Sequence, residues 1–180
     1  MINVKATAIL VAILAATTAL VFIILYGIGG RGVEKTILPL PTDAAAKAYV
    51  LQHNLLTNVT LTESIKSGGP HFKMLHGTDE AGLEKLVWLT GKDNDITVRG
   101  MVHLREGLSR ESILVKLNEM NITPEKIQSM HITPYDYTSN RIVWFIKEND
   151  IKKHMLSFDF KTGEFLWDVY EDPTAWKLSK

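Results

Sequence analysis

The run ATAILVAILAATTALVFIILYGI, from Ala6 to Ile28, carries no charged side chain. A helix rises about 1.5 Å per residue, so this run is long enough to cross the roughly 30 Å hydrocarbon layer of a bilayer. A cleaved signal peptide has a shorter apolar region, about 7 to 15 residues, ending in an A-x-A-like site. The run is longer and lacks that site, so an uncleaved membrane-spanning helix over residues 6–28 is expected, preceded by a short tail of residues 1–5. Lys5 on one side and Arg31 and Lys35 on the other do not decide its orientation. The chain contains no cysteine, which leaves neither a lipid-modified anchor nor a disulfide argument for export.

Beyond the anchor, about 150 residues suffice for one ordinary domain or two small ones. With Lys5 set aside, 19 basic residues face 20 acidic ones. That balance argues against nucleic acid as a partner. It also argues against a polybasic patch holding the domain flat on anionic lipid.

Glycines 29, 30 and 32 and prolines 39 and 41 make residues 29–41 a linker that cannot continue the helix. Thr42 or Asp43 can cap a helix over about 43–55. From Thr57 the pattern changes to short β-branched and aromatic runs separated by SGGP, GTDEAG and GKDND. These predict strands over 58–66, 71–77, 84–90 and 95–103. A second helix opens at Ser109, where Leu108 and Ile113 have the spacing of a hydrophobic staple. Ile113, Leu114, Leu117 and Met120 form its apolar stripe, and it ends near Asn121. Strand-like runs follow over 126–134, 141–148, 153–160 and 164–170.

Helix then strands, twice, suggests an internal duplication. Leu86-Val87-Trp88-Leu89 matches Ile142-Val143-Trp144-Phe145 at a shift of 56 residues, and the same shift sets Met74 on Met130. In the second copy Ile142, Trp144 and Ile146 point one way and Val143 and Phe145 the other. One face can pack on its own helix. The other, with Trp144 and Phe145 as candidate contact residues, needs cover from the companion module or from a partner protein, and the companion is favoured.

No catalytic, cofactor or metal site is expected. His53, His71, His76, His103, His131 and His154 include no H-x-x-x-H or H-x-H pair on a common face. No G-x-S-x-G, Walker A or G-x-G-x-x-G pattern occurs. Gly68-Gly69 beside Pro70 reads as a turn, and Asp93-Asn94-Asp95 lacks the glycine and distal glutamate of a calcium loop. No small-molecule substrate is evident.

The clearest local signature is Met155-Leu-Ser-Phe-Asp159-Phe-Lys-Thr162-Gly163-Glu-Phe-Leu-Trp167, a strand, a D-x-x-T-G turn and a second strand. Asp159 can accept hydrogen bonds from turn amides, and Gly163 can supply the positive φ of a type I turn plus bulge. This hairpin resembles the motif of PepSY-type domains. With the His76-Gly77-Thr78-Asp79 turn, the Leu86-Val87-Trp88 strand and the Arg105-Glu106-Gly107 to Ser109 helix entry, the chain to about Asp172 resembles the cell wall elongation regulator TseB family, also called YpmB-like, of Gram-positive bacteria.

The resemblance implies an α+β protein: a single N-terminal transmembrane helix followed by two tandem helix-on-antiparallel-sheet (PepSY/cystatin-like) modules, 42–104 and 105–172. It implies a cytoplasmic tail at 1–5, a single pass through the cell membrane and an extracytoplasmic C-terminal domain. It further implies a non-enzymatic role in regulating peptidoglycan synthesis through contact with a class B penicillin-binding protein or another wall synthesis component. The other reading is a PepSY-type inhibitor of an extracytoplasmic peptidase. The tail 173–180 lies beyond the shared pattern, and its Trp176 is the candidate anchor of a partner surface, because tryptophan often anchors interfaces.

Overall fold

Thr42 starts the folded chain by accepting a hydrogen bond from the Ala45 amide on its side-chain oxygen, 3.3 Å away. In the computed structural model, which describes residues 37–150 and 154–170, that cap opens helix α1, Asp43–Gln52. The helix is shorter than expected because Asn54 adopts a left-handed conformation, φ 53°, just past His53. The expected membrane helix at 6–28 and the tail at 173–180 lie outside the described residues. Among the described residues no helix is long and apolar enough to cross a membrane.

Four strands follow, β1 (Asn58–Lys66), β2 (His71–Thr78), β3 (Glu84–Lys92) and β4 (Asp95–His103), paired antiparallel in chain order. A short 3-10 turn at Leu104–Glu106 leads into α2, Arg110–Glu119, and a second such turn at Pro124–Lys126 leads into the other sheet. That sheet is again a chain-order meander of β5 (Ile127–Pro134), β6 (Ile142–Glu148), β7 (His154–Asp159) and β8 (Phe165–Tyr170). Ser109 caps α2 by accepting from the Ser112 amide. Leu108 and fully buried Ile113 meet in the same core, as a staple requires. Met120, expected on the buried stripe, is instead 40% exposed, since it lies past the last helical residue.

Each residue of a strand alternates faces, so each sheet has two sides to bury. On the first sheet Leu75, Val87 and Leu89 pack with Ala46 and Val50 of α1. Its opposite face, with Phe72, Met74, Leu86, Trp88 and Val102, joins Ile113 and Leu117 of α2 and Ile132, Trp144, Ile146, Leu156 and Phe158 of the second sheet in one continuous cluster. The two helix-plus-sheet units therefore share a core, and each covers apolar surface of the other. Polar contacts cross the same seam. Tyr137 accepts from the His71 amide at its hydroxyl, 2.9 Å, and its carbonyl accepts from Arg99 Nη1, 3.3 Å.

The duplication is real in order but not at the expected shift. Asp43 corresponds to Arg110, Asn58 to Ile127, His71 to Ile142, Glu84 to His154 and Asp95 to Phe165, an offset of about 70 residues rather than 56. Trp88 lies on the third strand of its sheet and Trp144 on the second strand of its own. Met74 pairs with Trp88, whereas Trp144 lies opposite Ile132 and Phe158, not Met130. The tetrapeptide match arises because both strands are interior and buried on both faces, which selects the same β-branched and aromatic residues.

Candidate interaction surface

The D-x-x-T-G turn sets the position of β8. Asp159 Oδ1 accepts from the amides of Lys161 and Thr162, 3.0 Å each, and the Gly163 amide donates to the Asp159 carbonyl, 2.9 Å. Gly163 has φ +67°, the conformation expected of it. The ladder then slips between Ser157 and Phe158, and β8 runs along the edge of the sheet. An edge strand leaves backbone N–H and C=O groups without a ladder partner on its outer side.

Three large apolar side chains of β8 are open to solvent: Phe165 44%, Val169 45% and Tyr170 52%. Two of these, and the half-buried Trp167 between them, rest on rings of neighbouring strands. Phe165 lies edge-on to Phe158, Trp167 is tilted against Phe145, and Tyr170 stacks on His154 with ring centroids 4.1 Å apart. His154 is itself held between carboxylates, Nε2 3.0 Å from Asp168 Oδ2 and Nδ1 3.3 Å from Glu148 Oε1. The edge strand thus carries half-exposed aromatic and aliphatic side chains on both of its faces, Val169 and Tyr170 pointing to opposite sides.

Of the candidate contact residues, Trp144 and Phe145 are 6% and 2% exposed. Trp144 belongs to the shared core, and its indole N–H donates to the Leu108 carbonyl, 3.1 Å. Phe145 lies with His131 and Trp167 on the other side of β6. Both are core residues in this fold, because the companion unit, α2 and neighbouring strands supply the cover they needed. Trp176 lies outside the described residues. The exposed side chains of β8 were not singled out from sequence, because alternation marks a strand without saying whether it is an edge.

A second polar site lies where β2, β4 and the β7–β8 hairpin converge. His103 Nε2 is 2.8 Å from Asp79 Oδ2 and its Nδ1 is 2.9 Å from Glu106 Oε1, while Glu106 Oε2 is 3.3 Å from Lys161 Nζ. Hydrogen bonds to Glu106 and then Asp79 hold the His103 pKa above its ordinary value. The hydrogen bond from His103 holds both carboxyls below theirs, with help from the Leu83 amide at Asp79 and from Lys161 at Glu106. His131 is the opposite case: burial depresses its pKa to about 4. Among the described residues no group of three or more His, Cys, Asp or Glu could hold a metal ion.

No family model matches the chain, and none of the curated proteins matches it. Among solved structures it is similar to the YpmB protein from Bacillus subtilis, with a TM-score of 0.56 at 20% identity, over 71% of this chain and 96% of that one. At that identity the likeness establishes the fold, which is YpmB-like.

Proposed function

We propose that this chain is a non-enzymatic, membrane-tethered interaction module of the TseB type, acting outside the cytoplasm. In this reading it regulates peptidoglycan elongation by contact with a class B penicillin-binding protein. The apolar run at 6–28 supports the tether, and the PepSY-like hairpin together with the YpmB-like fold supports the family. The observation that carries the interaction role is the edge strand β8, unpaired on its outer side and with Phe165, Val169 and Tyr170 about half exposed. Confinement of both partners to one membrane raises their effective concentration, so a weak contact along one strand suffices.

The test places a photo-crosslinking phenylalanine analogue at Phe165, at Val169 or at Trp176 in the full chain in cells. A crosslink from β8 to a penicillin-binding protein is expected. If no position captures one, and none co-purifies with the chain from membranes, the reading is wrong. The same open edge favours a second reading, a peptidase inhibitor that accepts an extended segment by strand addition. Inhibition of an extracytoplasmic protease by the full chain, abolished by proline substitution in β8, would select it.

A further inference from the structure

The β3–β4 hairpin and residues Leu38 and Pro39 enclose a cleft of about 420 Å³, within the usual size range of small-molecule sites. The strand segment is held to the cleft wall by a hydrogen bond from the Gly91 amide to the Pro39 carbonyl, 2.8 Å. Leu38 and Pro39 give one apolar side. Thr90, Asn94 and Thr97 are uncharged polar groups, and Lys92, Arg99 and Asp95 are the charged ones, leaving one net positive charge.

Arg99 is fixed in place. Its Nε donates to Oγ1 of Thr90, a residue 1% exposed, at 2.7 Å, and its Nη1 donates to the Tyr137 carbonyl across the seam at 3.3 Å. A guanidinium has five N–H donors. Two are used here, and both on Nη2 and one on Nη1 have no acceptor among the described residues. Arg99 makes no ion pair among the described residues, although other exposed cations of the chain, such as Lys161 and Arg141, find carboxylates. The guanidinium also borders a second cleft of about 330 Å³ lined by Met101, Asn140 and Ile142.

An immobilised guanidinium with donors left over is prepared for a planar, two-oxygen acceptor, because its fork matches a carboxylate and little side-chain entropy remains to be lost. The geometry points to a binding site for a carboxylate-bearing small ligand, seated with its carboxylate on Arg99 and its apolar body against Leu38 and Pro39. Asp95 in the same cleft disfavours a dianion, so the carboxylate is preferred over inorganic phosphate. This site is separate from β8 and does not depend on the function proposed for that strand.

The experiment titrates the ¹⁵N-labelled full chain with N-acetyl-alanyl-alanine and, separately, with its C-terminal amide. The Arg99 Nε–H and the Gly91 and Thr97 amides are followed by NMR. A saturable shift is expected with the acid, with binding at least about tenfold weaker for the amide and for Arg99→Lys, which has no fork. The acid-versus-amide comparison uses the unchanged chain, so it stands even if the variant misfolds. Equal shifts from acid and amide, no saturation with either, or displacement of the acid by an equal concentration of phosphate would each overturn the assignment.

Discussion

His103 Nε2 lies 2.8 Å from Asp79 Oδ2, tying the end of β4 to the turn after β2, while Nδ1 of the same ring meets Glu106. Only the imidazolium can donate from both nitrogens. The raised pKa of His103 means its contribution is fully present below the unfolded value of about 6.5 and is lost as pH rises through the higher folded value. The lowered pKa values of Asp79 and Glu106 mean theirs is present above about pH 4 and lost as pH falls through the lower folded values. The cluster therefore stabilises most between about pH 4 and 6.5. His103→Gln is expected to remove part of the fall in Tm that the unchanged chain shows between about pH 6 and pH 8. The effect is modest, because His103 and Asp79 are 26% and 19% exposed and solvent screens them. Thermal unfolding of both proteins across pH checks it, and parallel profiles would refute it.

Gly107, where the chain enters α2, has no room for a side chain. A Cβ there would overlap Cε1 and Cζ of Phe160, which is 1% exposed. Its φ of −134° is open to any residue, so the constraint is contact and not backbone conformation. Gly107→Ala should cost about 1–3 kcal/mol, the range for overpacking a filled core. Urea denaturation measures the loss. Phe160→Leu on its own should also destabilise, yet in the Gly107→Ala background it should cost less, because it removes the overlapping ring.

Much of this fold was legible in the chain. The strands at 58–66 and 95–103 match expectation to the residue, because SGGP marks the end of the first and GKDND the start of the second. The Ser109 cap, the Leu108–Ile113 staple and the Asp159–Gly163 turn are local, and local chemistry can be read from neighbours in sequence. The offset of the duplication was not legible, since an interior strand looks like any other interior strand. The functional groups were the least visible. Asp79 and His103 are separated by 24 residues and Arg99 and Tyr137 by 38, and only the completed sheets bring them together. Trp144 was legible as a residue needing cover, but nothing near it in sequence says that α2 and the first sheet provide it.

Lys73 is a buried cation that joins α1 to the first sheet. Its Nζ is 2.6 Å from Asp43 Oδ1 and 2.8 Å from Ser64 Oγ, with its side chain 9% exposed. Removing the carboxylate leaves a largely desolvated ammonium with one neutral partner, whereas removing the lysine leaves Asp43, 68% exposed, in contact with water. Breaking a pair from the exposed side should therefore cost more than replacing the buried ion with an apolar group. Asp43→Ala is expected to lower stability by about 1–3 kcal/mol, and Lys73→Met by less. Chemical denaturation of the two variants decides the order, and a larger loss for Lys73→Met would show that the ammonium is better hydrated than its burial suggests.

His131 has the opposite linkage to His103. Its ring lies 5.5 Å from that of Phe145, its Nε2 is buried without a hydrogen-bond partner, and burial lowers its pKa to about 4. The unfolded chain takes up a proton at this histidine below about pH 6.5 and the folded chain resists until about 4, so stability falls as pH drops through that window. The loss at this one site is up to about 3 kcal/mol, since each unit of displacement is worth about 1.4. His131→Phe should therefore be more stable than the unchanged chain at pH 4 by more than it is at pH 7. It also removes an unsatisfied buried nitrogen, which contributes at both pH values and so cancels from the difference. Urea denaturation of the two proteins at pH 4 and pH 7 isolates the linked term, and an equal difference at both would mean that His131 titrates normally in the fold.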